Sequence, residues 1–193
     1  MHESTAQGRW PALFADMEAR LEGLLDAELD MEVAERTRAE TARLELADLL
    51  RGACGSPLVL RLGAAVEIRV HVQAVGPDWL AGYDPSGADV LIPLGSIVLV
   101  RGSRPVRQVR ALYGPVDVGL RLGSVLRRLA RDRAGVEVLT RDGGRLYGTI
   151  DRVGVDFIEL AVHPLDELRR PSAVRDVCLV VSKTILLVRR PPG

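Results

Sequence analysis

The chain has 193 residues, of which 47% are hydrophobic, and its 26 basic residues balance its 26 acidic ones. This length predicts one large or two small domains, with enough apolar residues for a core. No apolar run reaches the roughly 18 residues needed to span a bilayer, and the polar residues 1–9 predict no secretory leader. Two cysteines, Cys54 and Cys178, are too few for a disulfide framework, so we expect a cytoplasmic protein.

Charge is distributed unevenly along the chain. Residues 1–57 carry 12 acidic residues against 6 arginines, whereas residues 101–133 carry nine arginines and only two acidic residues. A basic segment of this kind favours contact with nucleic acid. The alternative is that the acidic N-terminal part neutralises the basic middle, within one chain or between chains.

Residues 1–51 are predicted to form an acidic helical region. Pro11 suits a first helical position, and Phe14, Met17 and Leu21 follow the spacing of one apolar helix face. The pattern fits either one long helix over 11–51 or two helices broken near the middle. With its apolar stripe, this region should form a coiled coil or dock onto the rest of the chain.

An internal repeat follows the glycine-containing breaker at 52–57. VGPDWL (75–80) recurs as VGVDFI (153–158), 78 residues later, and LVLRL (58–62) matches VEVLT (136–140) at the same offset. These segments are rich in residues that favour strands. Two copies at a fixed period predict a duplicated domain.

The offset grows further along the repeat. IPLGSIVLVRG (92–102) resembles VVSKTILLVRR (180–190) at an offset of 88, so the second copy holds about ten extra residues. We place them in the loop 163–176. A predicted helix precedes each copy, over 46–51 and over 119–133.

The second copy has the clearest strand pattern. Val136 and Val138 alternate with Glu137, and Asp142-Gly143-Gly144 predicts a tight hairpin turn. Gly148 stands inside the next strand, where glycine indicates a sharp bend or a close backbone approach. Strongly bent strands are typical of small barrels.

The run VEVLTRDGGRLYGTIDRVGVDFIEL (136–160) resembles the first signature of Sm-like proteins, and 180–188 and 92–100 loosely match the second. The tandem arrangement also resembles a two-domain family of high-GC Gram-positive bacteria. The resemblance implies bent five-stranded barrels, ring assembly through the edges of the fourth and fifth strands, and often RNA binding.

The predicted fold is therefore mainly β with helices. It consists of two tandem small five-stranded Sm-like or SH3-like barrels, each preceded by a helix, after a long N-terminal acidic helix. The acidic helical region is predicted over 1–51 and the first barrel over 52–102. An arginine-rich linker with a helix follows over 103–134, and then the second barrel over 135–190 and a tail over 191–193.

The uridine pocket of Sm-like proteins does not carry over. Its asparagine position falls on Glu159, where a carboxylate would repel phosphate, and its Arg-Gly positions fall on Val181 and Ser182. In the first copy the same positions hold Ala81, Pro93 and Leu94.

Arginines of the second predicted helix are the best binding candidates. On a helix they share an arc of roughly 120°, opposite the leucines, so a docked helix would present them to phosphates. These residues are Arg121, Arg127, Arg128 and Arg131, and linker arginines that include Arg107 and Arg110 extend the patch. The alternative is a solvated charged face, or one paired with the acidic helix.

The other reactive or aromatic residues favour structural roles. Trp79 and Phe157 occupy equivalent repeat positions and are predicted to lie in the core rather than to stack on bases. His71 and His163 have no metal-ligand spacing, and both cysteines look structural. Because no catalytic motif is present, we expect no enzyme, cofactor or metal.

The sequence thus predicts a non-catalytic, oligomeric regulatory module that binds RNA or DNA through an arginine-rich face with little sequence readout. Self-association is expected through barrel edges or the N-terminal helix. The alternative is a protein–protein assembly adaptor that binds no nucleic acid.

Overall fold

The structure is a computed structural model that describes residues 44–102, 119–164 and 174–192, together with separate helical positions between 17 and 42. The chain divides into two compact units, 1–44 and 45–193. In the first unit, residues 31–38 are helical and mostly exposed. The hydroxyl groups of Thr37 and Thr41 each donate a hydrogen bond of 2.8 Å to the carbonyl four residues earlier.

The prediction of one long N-terminal helix is wrong. Ala42 lies in a turn, Leu44 and Glu45 are not helical, and Glu45 has an extended backbone (φ −88°, ψ 154°). A separate helix of six residues, α1 (Leu46–Arg51), then begins. Ala47 and Leu50 are buried in the core of the second unit, and this packing fixes α1 where local helix propensity alone would have continued the upstream helix.

The described residues of the second unit form α1, one further helix and ten strands. The helix α2 is Leu122–Arg131. No helix in the described ranges is long and apolar enough to cross a membrane. The strands are β1 (Pro57–Leu62), β2 (Glu67–Val75), β3 (Trp79–Tyr83), β4 (Asp89–Pro93), β5 (Ile97–Gly102), β6 (Gly135–Thr140), β7 (Arg145–Val153), β8 (Phe157–Val162), β9 (Asp176–Val181) and β10 (Ile185–Arg190).

The prediction of two tandem barrels is also wrong. The ten strands form one antiparallel sheet in the order β5-β1-β2-β3-β4-β10-β6-β7-β8-β9, and the sheet does not close. A 3-10 turn (Leu94–Ser96) separates β4 from β5, which pairs with β1 instead of forming a hairpin. The free edge of β4 would have been needed to close the first five strands into a barrel. Because β4 pairs with β10, that edge joins the first five strands to the second five instead.

The predicted repeat is confirmed in the strand registers of the first half (β1–β5) and the second half (β6–β10). Leu60 pairs with Ile68, and Val138 pairs with Leu146, at the predicted offset of 78. Trp79 pairs with Pro93, whereas Phe157 pairs with Val181, so the offset is 88 by the fourth strand. Both halves therefore have the same strand order and register.

Two hydrophobic cores lie on opposite faces of this sheet. Consecutive strand residues point to opposite faces. In β4, Ile92 packs into the first core while Leu91 packs into the second, and in β10 the same division separates Leu187 from Val188. Each half thus contributes side chains to the core of the other, which explains why residues 45–193 form one unit.

Glycines shape the second half as predicted. Gly143 has a φ of +86° in the turn between β6 and β7, a conformation that favours glycine. A β-carbon at Gly148 would lie 2.0 Å from the carbonyl oxygen of Ala161, so this glycine permits the close approach of β7 and β8.

Candidate nucleic-acid interface

The start of α2 is held by two residues of the first half. A side-chain oxygen of Asp78 accepts a hydrogen bond from the backbone N–H of Leu122 at 2.7 Å. The indole Nε1 of Trp79 donates to the carbonyl of Leu120, also at 2.7 Å. Asp78 thereby satisfies one of the free N–H groups at the helix start, and its negative charge suits that end of the helix dipole.

One side of α2 packs into the second core. Leu126 is fully buried there, and Leu122, Val125 and Leu129 are partly buried against the same cluster. This apolar face is the one that the sequence predicted. Its burial orients the opposite, charged side of the helix toward solvent.

The predicted arginines of α2 and of its N-cap position are all exposed, and we call them the α2 arginine face: Arg121, Arg127, Arg128 and Arg131. Arg127 donates a hydrogen bond of 3.2 Å to the Ser124 hydroxyl group. None of the four forms an ion pair with another described residue. The planar guanidinium group of arginine suits bidentate contact with phosphate oxygens.

Other arginines bear differently on this face. Arg133 lies two residues beyond the end of the helix and is exposed, although it is not among the predicted arginines. Arg107 and Arg110 lie outside the described residues. Arg101 is part of β5 and pairs with Glu67 at 2.5 Å. The face therefore rests on α2 itself.

The aromatic residues of the repeat do not offer a pair of stacking surfaces. Trp79 is 4% exposed in the second core, as predicted, while Phe157 is half-buried. Glu159, which stands at the Sm-like asparagine position, accepts a hydrogen bond of 3.0 Å from Nε of Arg152. A carboxylate engaged in this way is not available to read a base.

Histidines and cysteines form no reactive cluster. Within 44–102, 119–164 and 174–192, as in the described helical positions before them, no group of three His, Cys, Asp or Glu side chains could hold a metal ion. Burial raises the pKa of the Cys54 thiol, and burial together with the neighbouring Asp176 raises that of Cys178. Both thiols are unpaired and have less thiolate character than an ordinary cysteine.

A polar contact that the sequence did not reveal joins the two halves. Asp84, in the turn after β3, is buried and forms an ion pair with Arg189 of β10, 105 positions along the chain. Burial raises the pKa of Asp84, but hydrogen bonds from Ser86 and Arg189 outweigh this effect and lower it below its ordinary value of 3.8. Such a long-range pair leaves no local sequence signal, since Asp84-Pro85 reads only as a turn.

The two outer strands of the sheet are less covered than their counterparts at the centre. Leu179 of β9 is 65% exposed, whereas Leu91, its equivalent in β4, is 5% exposed. Val98 of β5 is 62% exposed, whereas its equivalent in β10, Leu186, is fully buried. The same repeat positions are therefore covered where β4 meets β10 and uncovered at both ends of the sheet.

Comparison of the sequence with models of known protein families gave no match, and comparison with curated protein sequences gave no significant one. The resemblance of 136–160 to Sm-like proteins therefore stays a prediction.

Proposed function

We propose that this protein is a non-catalytic cytoplasmic module that binds RNA or DNA through the α2 arginine face. The observation that carries the proposal is the presence of four exposed arginines, three on α2 and one at its N-cap, none in an ion pair with a described residue. Arginines in this arrangement bind backbone phosphates, which are common to all sequences. Binding would accordingly depend strongly on salt and little on base identity.

Fluorescence anisotropy with labelled single-stranded RNA and duplex DNA, at about 50 and 200 mM salt, tests the proposal. We expect submicromolar affinity at the lower salt and a steep loss at the higher. The variant R127Q/R128Q should bind more weakly, and its plot of log affinity against log salt should be shallower by about two units.

A matched control is R69Q/R190Q, which removes the same charge from two exposed arginines outside α2. It should retain most of the affinity and the wild-type salt slope. Absence of binding at the lower salt, or equal losses in the two double variants, would contradict an interface on α2.

The uncovered sheet edges favour a second candidate function, a protein–protein assembly adaptor. Copies would associate with β9 of one against β5 of the next, repeating the contact between β4 and β10. The exposure of Leu179, whose equivalent Leu91 is covered, supports this contact. A protein that binds nucleic acid could also self-associate. An adaptor without nucleic-acid binding would self-associate but leave the anisotropy of the labelled RNA and DNA unchanged.

A further inference from the structure

A cleft of about 410 Å³ lies beside the start of β7 and the end of β8. The residues that line it include Leu146, Tyr147, Val162 and Pro164, together with Arg145 and Arg175. The volume falls within the range of small-molecule sites, and an apolar wall with a few placed polar groups is their usual lining.

The polar groups of the cleft are held in place by a buried acid. Glu137 is 8% exposed, and its Oε1 accepts hydrogen bonds from Arg145 at 3.0 Å and from the Tyr147 hydroxyl at 3.3 Å. These contacts fix the Arg145 guanidinium and the Tyr147 ring before any ligand arrives. A side chain that is already oriented loses less conformational entropy when it binds.

The two arginines that line this cleft, Arg145 and Arg175, differ in their ion pairing. Glu137 lies 3.8 Å from Arg189 as well as close to Arg145, and Arg189 is paired with Asp84. Arg175 is exposed and forms no ion pair with any described residue. Arg175 is therefore the arginine of this cleft that no described carboxylate pairs, and Asp176, the register partner of Val162, follows it in the chain.

A buried histidine, His163, also lines the cleft. Nδ1 of His163 lies 2.7 Å from the carbonyl oxygen of Pro164, which can only accept, so Nδ1 carries a proton. Nε2 lies 2.8 Å from the Thr149 hydroxyl oxygen, within hydrogen-bond distance. Both ring nitrogens thus have a hydrogen-bond partner, which holds the imidazole in place beside the cleft.

The residue set of this cleft is absent from the first half. In the repeat register, Glu67 stands where the second half has Arg145, and Arg69 stands where it has Tyr147. An aromatic ring beside a free arginine is therefore a feature of the second half and does not follow from the repeated strands.

We propose that the cleft binds a small organic anion, in which a planar or apolar body packs on Tyr147 and a phosphate or carboxylate group is held by Arg175 and Arg145. An aromatic ring favours a flat partner. Guanidinium groups bind phosphate and carboxylate oxygens in the same bidentate manner. The site is separate from the α2 arginine face.

Titration of the full ¹⁵N-labelled chain, followed by amide NMR spectra, tests the proposal with adenosine monophosphate and with benzoate. These probes carry a phosphate and a carboxylate, respectively, on a planar body. We expect saturable shifts at Leu146, Tyr147 and His163 with at least one probe. R175Q should weaken binding about tenfold, because hydrogen bonds to charged groups are worth about 1.5 kcal/mol or more.

The control R69Q, at the position equivalent to Tyr147, should bind like the wild type, and R127Q/R128Q should do so as well. The proposal is overturned if neither probe gives saturable shifts at the cleft, or if R175Q binds as tightly as R69Q. Orthophosphate binding as tightly as adenosine monophosphate and benzoate would also overturn it, since the planar body would then contribute nothing.

Discussion

Gly143 and Gly148 are required for different physical reasons. Gly143 needs its positive φ, but a β-carbon there would meet no atom within 4 Å. Gly148 has an ordinary φ, but a β-carbon there would press against the backbone oxygen of Ala161. One position is limited by local backbone conformation and the other by a neighbouring strand.

Gly143→Ala should therefore lower the free energy of unfolding by about 1 kcal/mol, the strain of alanine in a left-handed conformation. Gly148→Ala should lower it by about 3 kcal/mol, because two paired strands must separate. Urea unfolding followed by circular dichroism measures both changes. Equal losses in the free energy of unfolding would show that the close approach of β7 and β8 adds no cost at Gly148.

At the scale of elements, the junction of β4 and β10 decides the architecture. Strand positions, the repeat and its two offsets were predictable, because alternation of apolar residues and turn glycines are local signals. The partner of β4 was not predictable, since any exposed strand edge offers the same backbone groups. The ion pair of Asp84 with Arg189 adds specificity at this junction.

Asp84→Asn should destabilise the protein by about 3 kcal/mol near neutral pH, because Arg189 loses its buried partner. The lowered pKa of Asp84 means that the folded state favours its charged form. This stabilisation is complete above the ordinary pKa of 3.8 and is lost as pH falls through the folded-state value. The difference in the free energy of unfolding between wild type and Asp84→Asn should therefore shrink as the pH falls below 3.8.

Urea unfolding at about pH 7 and about pH 3 measures this dependence. Asp89→Asn, which removes the same charge from an exposed residue of β4, should change stability by less than about 0.5 kcal/mol. A difference between wild type and Asp84→Asn that stays constant across the range would contradict the role of the charged pair.

For the whole molecule, the open ends of the sheet determine how copies can meet. A contact of β9 with β5 of a second copy would repeat the internal junction, but Val162 takes the repeat position of Asp84 there. The contact therefore lacks the buried ion pair. We expect association that is weaker than the internal pairing and that depends on concentration.

Analytical ultracentrifugation should give a mass above 21.0 kDa that rises with protein concentration. Leu179→Arg should shift this association to at least about tenfold higher concentration, because burial of a leucine is worth about 1.5 kcal/mol or more. Val155→Arg, at a fully exposed apolar residue between β7 and β8, is the control. A monomer at all concentrations, or equal effects of the two variants, would exclude this edge.

The sequence by itself determined the repeat, the strands, the two preceding helices and the exposed arginines of α2, because each of these depends on residues close together in the chain. Only the tertiary structure decided that ten strands form one open sheet, that α1 is separate from the upstream helix, and that Tyr147 and Arg175 flank one cleft. Those features depend on contacts between residues tens of positions apart, where many pairings satisfy the same local pattern and packing selects one.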